Sequence, residues 1–288
     1  MFCRLSVGEF KAPQMKIRTG IQLHPQHCTY AQLAEAAKKV DQLGFDTLWT
    51  WDHFYPLYGV EGAPLGPQLP PNAGDPAERG DHFEGWTLLT AFACLTQKVE
   101  IGMLVTCNSY RNPQLLADMF RTNDHVSGGR MILGLGSGWY EKDYEEYGYE
   151  FGTAVSRLKD LRRDLPILKE RMSKLTPPPV RKNVPIIIGG GGEKMTLKMV
   201  AEHATIWNYF GTPEQMAHKI SVLKKWCDEI GRDHNEIEKS ILMTDPNMLD
   251  KLDDYVDVGI SHFILGMGTP FDFTYAEKLL EWQKSKNG

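Results

Sequence analysis

Four consecutive glycines, Gly189 to Gly192, follow the apolar run Ile186–Ile188 and lead through Glu193-Lys194 into a helical pattern. Backbone N–H groups and the positive end of a helix would then converge on one spot, which is what a phosphate group requires. A tight turn is the plainer use of glycine, but four in a row carry an entropy cost that a turn alone does not demand. A second cluster, Gly134-x-Gly136-Ser137-Gly138, follows the run Met131–Leu135 and is itself followed by Trp139-Tyr140. It lacks the glycine that a dinucleotide fingerprint needs, since Trp139 or Glu141 stands in that place. Together the clusters suggest two loops gripping one large phosphate-bearing ligand.

The ends of the other apolar runs offer His24, Gln26 and His27, then Asp52-His53, then Thr106-Cys107-Asn108-Ser109. No lysine ends a run where a Schiff-base enzyme needs one. Carboxylates are too scarce for a paired-carboxylate glycosidase. His24, His27, Asp52 and His53 could ligate a metal, but no ligands converge on them from later runs, so no metal centre is predicted. Phosphate binding beside few groups able to act unaided implies that a cofactor carries the reaction, and redox chemistry is the class this favours. Trp51, Tyr110, Trp139 and Tyr140 could wall a flat ring system or could simply pack.

These residues sit at the ends of eight short apolar runs: Ile17–Leu23, Thr47–Trp51, Val99–Val105, Met131–Leu135, Ile186–Ile188, Ala204–Trp207, Ile241–Met243 and His262–Leu265. They are too short for helices, and several lack polar alternation, as parallel strands covered on both faces do. Each precedes a helical pattern, over roughly 30–43, 84–96, 113–127, 153–175, 193–203, 213–230, 246–258 and 272–285. Asn112-Pro113, Thr212-Pro213 and Asp245-Pro246 place a capping side chain before a proline at a helix start, and Gly44, Gly231 and Gly259 fall where helices stop. Eight β-then-α units predict a single-domain (β/α)8 TIM barrel, with chemistry at its C-terminal mouth. A doubly wound sheet is the alternative, but Leu23 is followed by His24-Pro25-Gln26-His27 rather than a glycine fingerprint. Pro166 should kink or divide the fourth helix. The proline-rich loop 55–83, after strand two, should lie over the mouth and shape a substrate site.

Across 288 residues, 42% hydrophobic and 24% charged, the chain has ample material for one core, and no apolar run approaches the length of a membrane span. The net charge of −5 and the absence of a basic block exclude nucleic acid and anionic lipid as partners, leaving a small molecule. Five scattered cysteines read as reduced thiols, and the first residues lack a signal-peptide pattern, so the cytoplasm is the expected compartment. Met15 directly precedes the first strand-like run, so residues 1–14 read as a leader or extension outside a barrel domain over 15–288.

Several stretches together resemble the luciferase-like monooxygenase superfamily, and within it the deazaflavin (coenzyme F420) oxidoreductases of actinobacteria. They are Leu43-Gly44-Phe45-Asp46 running into Trp51-Asp52-His53-Phe54, and Leu104 to Pro113. Further stretches are Ser127-Gly128-Gly129-Arg130 leading to Gly134 through Tyr140, Ile188 to Lys194 with Thr196-Leu197, Gly211-Thr212-Pro213-Glu214, and Val222 to Arg232. The resemblance implies a barrel holding F420 at its mouth, with the phosphate near the glycine loops, and hydride transfer to or from a small organic substrate. An FMN monooxygenase of the same fold is the alternative, and a phosphate-ligand binding barrel without turnover is a further one. His53 would handle a proton beside the ring, and Asp52 would fix His53 or ring N–H groups. The cofactor shell would comprise Asp52, Thr106, Cys107, Asn108, Gly136, Ser137, Gly138, Trp139, Tyr140, Gly189, Gly190, Gly191, Gly192, Glu193 and Lys194. A non-proline cis peptide is expected near Thr106-Cys107-Asn108, Cys107 is expected to be buried rather than nucleophilic, and a homodimer is a family expectation.

Overall fold

The computed structural model describes residues 16–57 and 81–288. The expected leader, residues 1–14, and the body of loop 55–83 lie outside the described residues.

Among the described residues, nine strands are formed: β1 (Arg18–Leu23), β2 (Thr47–Thr50), β3 (Glu100–Met103), β4 (Thr106–Cys107), β5 (Met131–Gly136), β6 (Ile186–Gly189), β7 (Ile206–Tyr209), β8 (Glu238–Met243) and β9 (His262–Met267). They pair in parallel in the order β3-β2-β1-β9-β8-β7-β6-β5, and β5 returns to both β3 and β4. The ring is therefore closed, with eight staves of which the third is in two pieces: a TIM barrel. Closure is most extensive between β1 and β9, which pair from Arg18 against His262 to Leu23 against Met267.

Trp49, Ile132, Ile187, Ile206, Leu242 and Ile264 fill the barrel with Leu104, while Ile21, Leu48, Ile101, Leu133 and Ile188 belong to the larger core shared with the helices. This alternation of side chains around each stave makes the interior a packed core rather than a pore. The helices are α1 (Tyr30–Leu43), α2 (Gly85–Leu95), α3 (Pro113–Val126), α4 (Glu141–Tyr147), α5 (Ala154–Lys174), α6 (Thr196–His203), α7 (Pro213–Glu229), α8 (Leu252–Asp257) and α9 (Thr274–Asn287). Asn112 and Thr212 cap α3 and α7 as their Pro-containing starts predict, and Gly44 closes α1 at φ 88°. None of the described helices is long and apolar enough to cross a membrane.

Four local departures matter. The run Val99–Val105 is interrupted after Met103, where a non-proline cis peptide joins Leu104 to Val105, just before the stretch expected to carry it. Pro166 neither kinks α5 into two elements nor ends it; Pro166 and Arg162 both lie on the solvent side, where the carbonyl freed by the missing N–H can meet water. Asp245-Pro246 opens a 3-10 turn, Pro246–Lys251, rather than one helix over 246–258. Finally, α4 is an additional short helix after β5, and α6 begins at Thr196 rather than Glu193.

The N-terminal end of the barrel holds a polar network built from the first residues of its strands. Arg18 bridges Glu100 and Glu238, and Glu238 lies 3.3 Å from His262 Nδ1. His262 Nε2 is 2.8 Å from Thr47 Oγ1, which also accepts the indole N–H of Trp49. Burial pushes the Glu238 carboxyl up, but His262 and Arg18 outweigh it and bring its pKa down to about 2.

Candidate active site

A cavity of about 1020 Å³, counting the space open at its mouth, occupies the C-terminal end of the barrel. Gln22 stands one residue before the end of β1, Asp52 and His53 follow β2, and Leu104 and Val105 form the break between β3 and β4, with Thr106 and Cys107 on β4 itself. Gly136 to Trp139 follow at β5, Gly189 and Gly190 at β6, Asn208 to Phe210 at β7, and Leu242 on β8; all line the cavity. Each stands at a strand's C-terminal end because parallel staves of similar length stop at one level.

His53 is held from behind. Its Nδ1 lies 2.7 Å from Asp143 Oδ2 on α4, and the same oxygen accepts the Tyr110 hydroxyl at 3.0 Å. Asp143 Oδ1 accepts the Phe54 amide at 3.0 Å. A carboxylate at Nδ1 assigns that nitrogen the proton in the neutral ring, which leaves Nε2 as the acceptor of a ring that lines the cavity. The ring stands edge-on to Trp139 and Tyr140, both at 5.6 Å.

Asp52 does other work than expected. Its oxygens accept a two-pronged bond from Arg111 at 2.6 and 3.0 Å, and the Cys107 amide at 3.0 Å. Arg111 also reaches Glu84, which caps α2 through the amides of Trp86 and Thr87. Burial pushes the Asp52 carboxyl up, opposed by the Arg111 fork and the Cys107 amide. Asp52 thus ties β2 to β4 and, through Arg111, to α2, whereas Asp143 orients His53. Asp143 was missing from the sequence-derived site, although a signal existed: it falls on the Tyr140, Tyr144, Tyr147 face of its helix, where a carboxylate interrupts an aromatic stripe.

The break in the third stave forms the cavity's floor. Gln22 donates to the Leu104 carbonyl at 2.8 Å, and Val105 projects between β5 and β6. A Cβ at Gly136 would stand 2.6 Å from Val105, and one at Gly189 would stand 3.2 Å from it. Gly138 has φ +78°, and a Cβ there would meet the Tyr144 hydroxyl at 2.0 Å and Cys107 Sγ at 2.5 Å. The second glycine cluster is therefore required by close packing around the break. Cys107 is buried, 3.1 Å from the Tyr144 hydroxyl, and burial pushes its thiol up to about 11, the reverse of a nucleophile's requirement. Thr106 Oγ1 is buried without a partner among the described residues.

Not every expected shell residue reaches the cavity. Asn108 turns away to donate to Asp164 at 2.8 Å, and Tyr140 packs with Trp51 and Leu57 beneath the rim. Gly191, Gly192, Glu193 and Lys194 lie beyond the lining, on the turn that leads into α6. Among the described residues, their four backbone N–H groups donate to no carbonyl, and the first bond of the turn is Leu197 N–H to Gly192 O. The Glu193 carboxylate instead pairs with His218 and Lys219. His24 is buried against Trp51, with ring centroids 4.2 Å apart, and burial pulls its pKa down to about 3, which keeps it neutral. Among the described residues, no group of three or more His, Cys, Asp or Glu is arranged to hold a metal.

Comparison with known proteins adds three findings. The family described as luciferase-like monooxygenase has a model that matches residues 15–245. An uncharacterized protein of Mycobacterium tuberculosis is 23% identical over 251 residues, covering 81% of this chain and 86% of its own, and an F420-dependent glucose-6-phosphate dehydrogenase of Amycolatopsis mediterranei is 27% identical over 157 residues, covering 54% and 41%. A solved F420-dependent secondary alcohol dehydrogenase, in complex with an F420-acetone adduct, has the same fold, with TM-score 0.77 and 16% identity over 95% of this chain and all of that one.

Proposed function

The chain belongs to the luciferase-like monooxygenase family, and on that footing we propose that it is an oxidoreductase transferring hydride between coenzyme F420, bound in the barrel mouth, and a small organic substrate. The observation that carries the proposal is His53: fixed through Nδ1 by a buried carboxylate, it lines a largely apolar cavity with Nε2 as its remaining acceptor.

Three features fit the cofactor. The unpaired amides of Gly191 to Lys194 suit a phosphate. The orphaned Thr106 hydroxyl offers a hydrogen bond to a polar ring edge. Val105, seated between Gly136 and Gly189, gives the cavity floor an apolar surface for a flat ring. Thr106, Gly136, Ser137, Gly138 and Trp139 would hold the ring, and the run from Gly189 to Lys194 its phosphate. Bound deazaflavin supplies a two-electron hydride donor and acceptor. His53 supplies the proton chemistry: Nε2 takes the hydroxyl proton of an alcohol in the oxidising direction and returns it to a carbonyl oxygen in the reducing one. Asp143 stabilises the imidazolium formed in between and keeps the ring from turning. The walls of Leu104, Val105 and Leu242 exclude water.

The test is a titration of the purified protein with F420 and, separately, FMN, following ligand fluorescence at fixed ionic strength. Tight F420 binding with weak FMN binding is expected. His53→Ala should keep that affinity while turnover falls by about 10²- to 10⁴-fold. Preference for FMN would replace the proposal with oxygen-dependent chemistry, and binding of neither would overturn it.

A further inference from the structure

The substrate class can be narrowed from the charge and shape of the same cavity. Among the described residues, no lysine or arginine lines it. Five of its lining residues are ionisable: Asp52, His53, Cys107, Tyr110 and Tyr209. Both oxygens of Asp52 are taken by Arg111 and the Cys107 amide. Cys107 and Tyr110 are both pushed up by burial, so both are uncharged at neutral pH. Of the polar side chains near the floor, Gln22 donates to Leu104 O and Asn208 donates to Ser240 Oγ at 2.9 Å, and the Thr106 hydroxyl is assigned to the cofactor's ring edge. A carboxylate or phosphate entering here would lose its hydration, find no cation, and sit above Asp52 and Asp143, both buried.

The rim has the opposite character. Trp139 is 44% exposed and Phe210 is 50% exposed, and both line the cavity. A single exposed aromatic is ordinary, but two on one mouth, continuous with Leu57, Val105 and Leu242, form an apolar surface that a ligand would cover. Each is held in place: Trp139 stands edge-on to His53, and Phe210 stacks on Tyr209 with centroids 4.9 Å apart. Held aromatic faces recognise flat or bulky apolar bodies at low entropic cost.

We infer that the substrate is an uncharged, mainly apolar alcohol or carbonyl compound, its body against Trp139 and Phe210 and its one oxygen at His53 Nε2. The inference rests on the cofactor reading above, under which the free amides of the glycine run are taken by the cofactor's own phosphate and serve no substrate anion.

The experiment uses the full chain and a matched pair of probes, acetophenone and 4-acetylbenzoate, which differ by one carboxylate. Calorimetric affinities are measured on protein saturated with F420, with F420 affinity recorded separately by fluorescence. Acetophenone should bind at least tenfold more tightly than 4-acetylbenzoate, and Trp139→Ala and Phe210→Ala should each weaken it about tenfold. Phe210→Arg, which sets a cation on the half-exposed rim, should shift preference toward 4-acetylbenzoate. Melting temperatures of the three variants report whether they fold. Equal or tighter binding of 4-acetylbenzoate by the natural chain, or acetophenone binding indifferent to both alanine variants, would overturn the inference. So would binding of F420 with neither probe, which leaves the cofactor reading standing. Failure of F420 to bind while acetophenone still does removes the cofactor reading alone, and the apolar-ligand assignment survives it.

Discussion

His53 and Asp143 are 90 residues apart in the chain and 2.7 Å apart at Nδ1 and Oδ2. The one follows β2, the other lies on α4 beyond β5, and the barrel's curvature brings the two strand ends to one side of the mouth.

This pairing can be tested without disturbing shape. Asp143→Asn keeps the volume but can present an N–H to Nδ1 where a lone pair is needed, favouring the wrong tautomer. Turnover should fall by about 100-fold or more, with F420 affinity little changed and the pH profile of kcat displaced. Tyr110→Phe, which removes a second donor to the same oxygen, should have a smaller effect. An Asp143→Asn enzyme with unchanged kcat and pH profile would make the pair a packing contact and nothing more.

Arg111 should matter for stability more than for chemistry. Arg111→Met strands the buried Asp52 carboxylate and is expected to cost about 3–5 kcal/mol in urea unfolding. Arg111→Lys should recover only part of this, because an ammonium cannot reproduce the two-pronged bond. Adding Asp52→Asn to Arg111→Met should cost less than the sum of the two single changes, and strict additivity would show that the groups are not coupled.

Glycine substitutions should separate conformational cost from crowding. Gly44 has φ +88° and nothing within 4 Å of where a Cβ would stand, so Gly44→Ala should cost about 1 kcal/mol. Gly138→Ala meets the same backbone penalty and also the Tyr144 hydroxyl and Cys107 sulfur, and should cost at least about 2 kcal/mol more. Equal losses for the two variants in chemical unfolding would contradict the packing described around the third stave.

Acid stability should depend on Glu238. Its pKa in the folded state, about 2, lies below the ordinary glutamate value of 4.5, so its contribution is full above pH 4.5 and is lost as pH falls toward 2. The shift corresponds to about 3 kcal/mol at neutral pH. Glu238→Gln should therefore be less stable than the natural chain at pH 7, with the difference narrowing steadily below pH 4.5. A difference that stays constant with pH would rule the ionised pair out as the source.

The barrel was legible because its signals are local. Thr212-Pro213 and Asn112-Pro113 begin helices wherever they stand, and Ile186–Ile188 is too short and too apolar to be anything but a covered strand. His53 was legible for the same reason, as a polar residue at a strand's end. The break at Leu104-Val105 was not located correctly, since the apolar run from Ile101 to Val105 gives no sign of where pairing stops. Nor was the division of labour between Asp52 and Asp143. Adjacency in sequence suggested Asp52 for His53, but consecutive residues leaving a strand point to opposite sides, and Arg111 claims the carboxylate from 59 positions away. Pro166 does not divide the helix as its propensity suggested, because the buried face of Leu161, Leu165, Leu168 and Met172 keeps α5 one element.

The seam between β1 and β9 is reinforced by Gln283 and Asn287 of α9, which bond the backbone of Ile17 at 2.9–3.0 Å. During synthesis, β1 leaves the ribosome long before its most extensive partner exists. It must keep Ile21 and Leu23, both without solvent exposure in the finished fold, in a half-built sheet while some 240 further residues emerge. Helix α9 thus acts as a clasp: the first and final staves are held together from outside the sheet only once it has folded back onto Ile17.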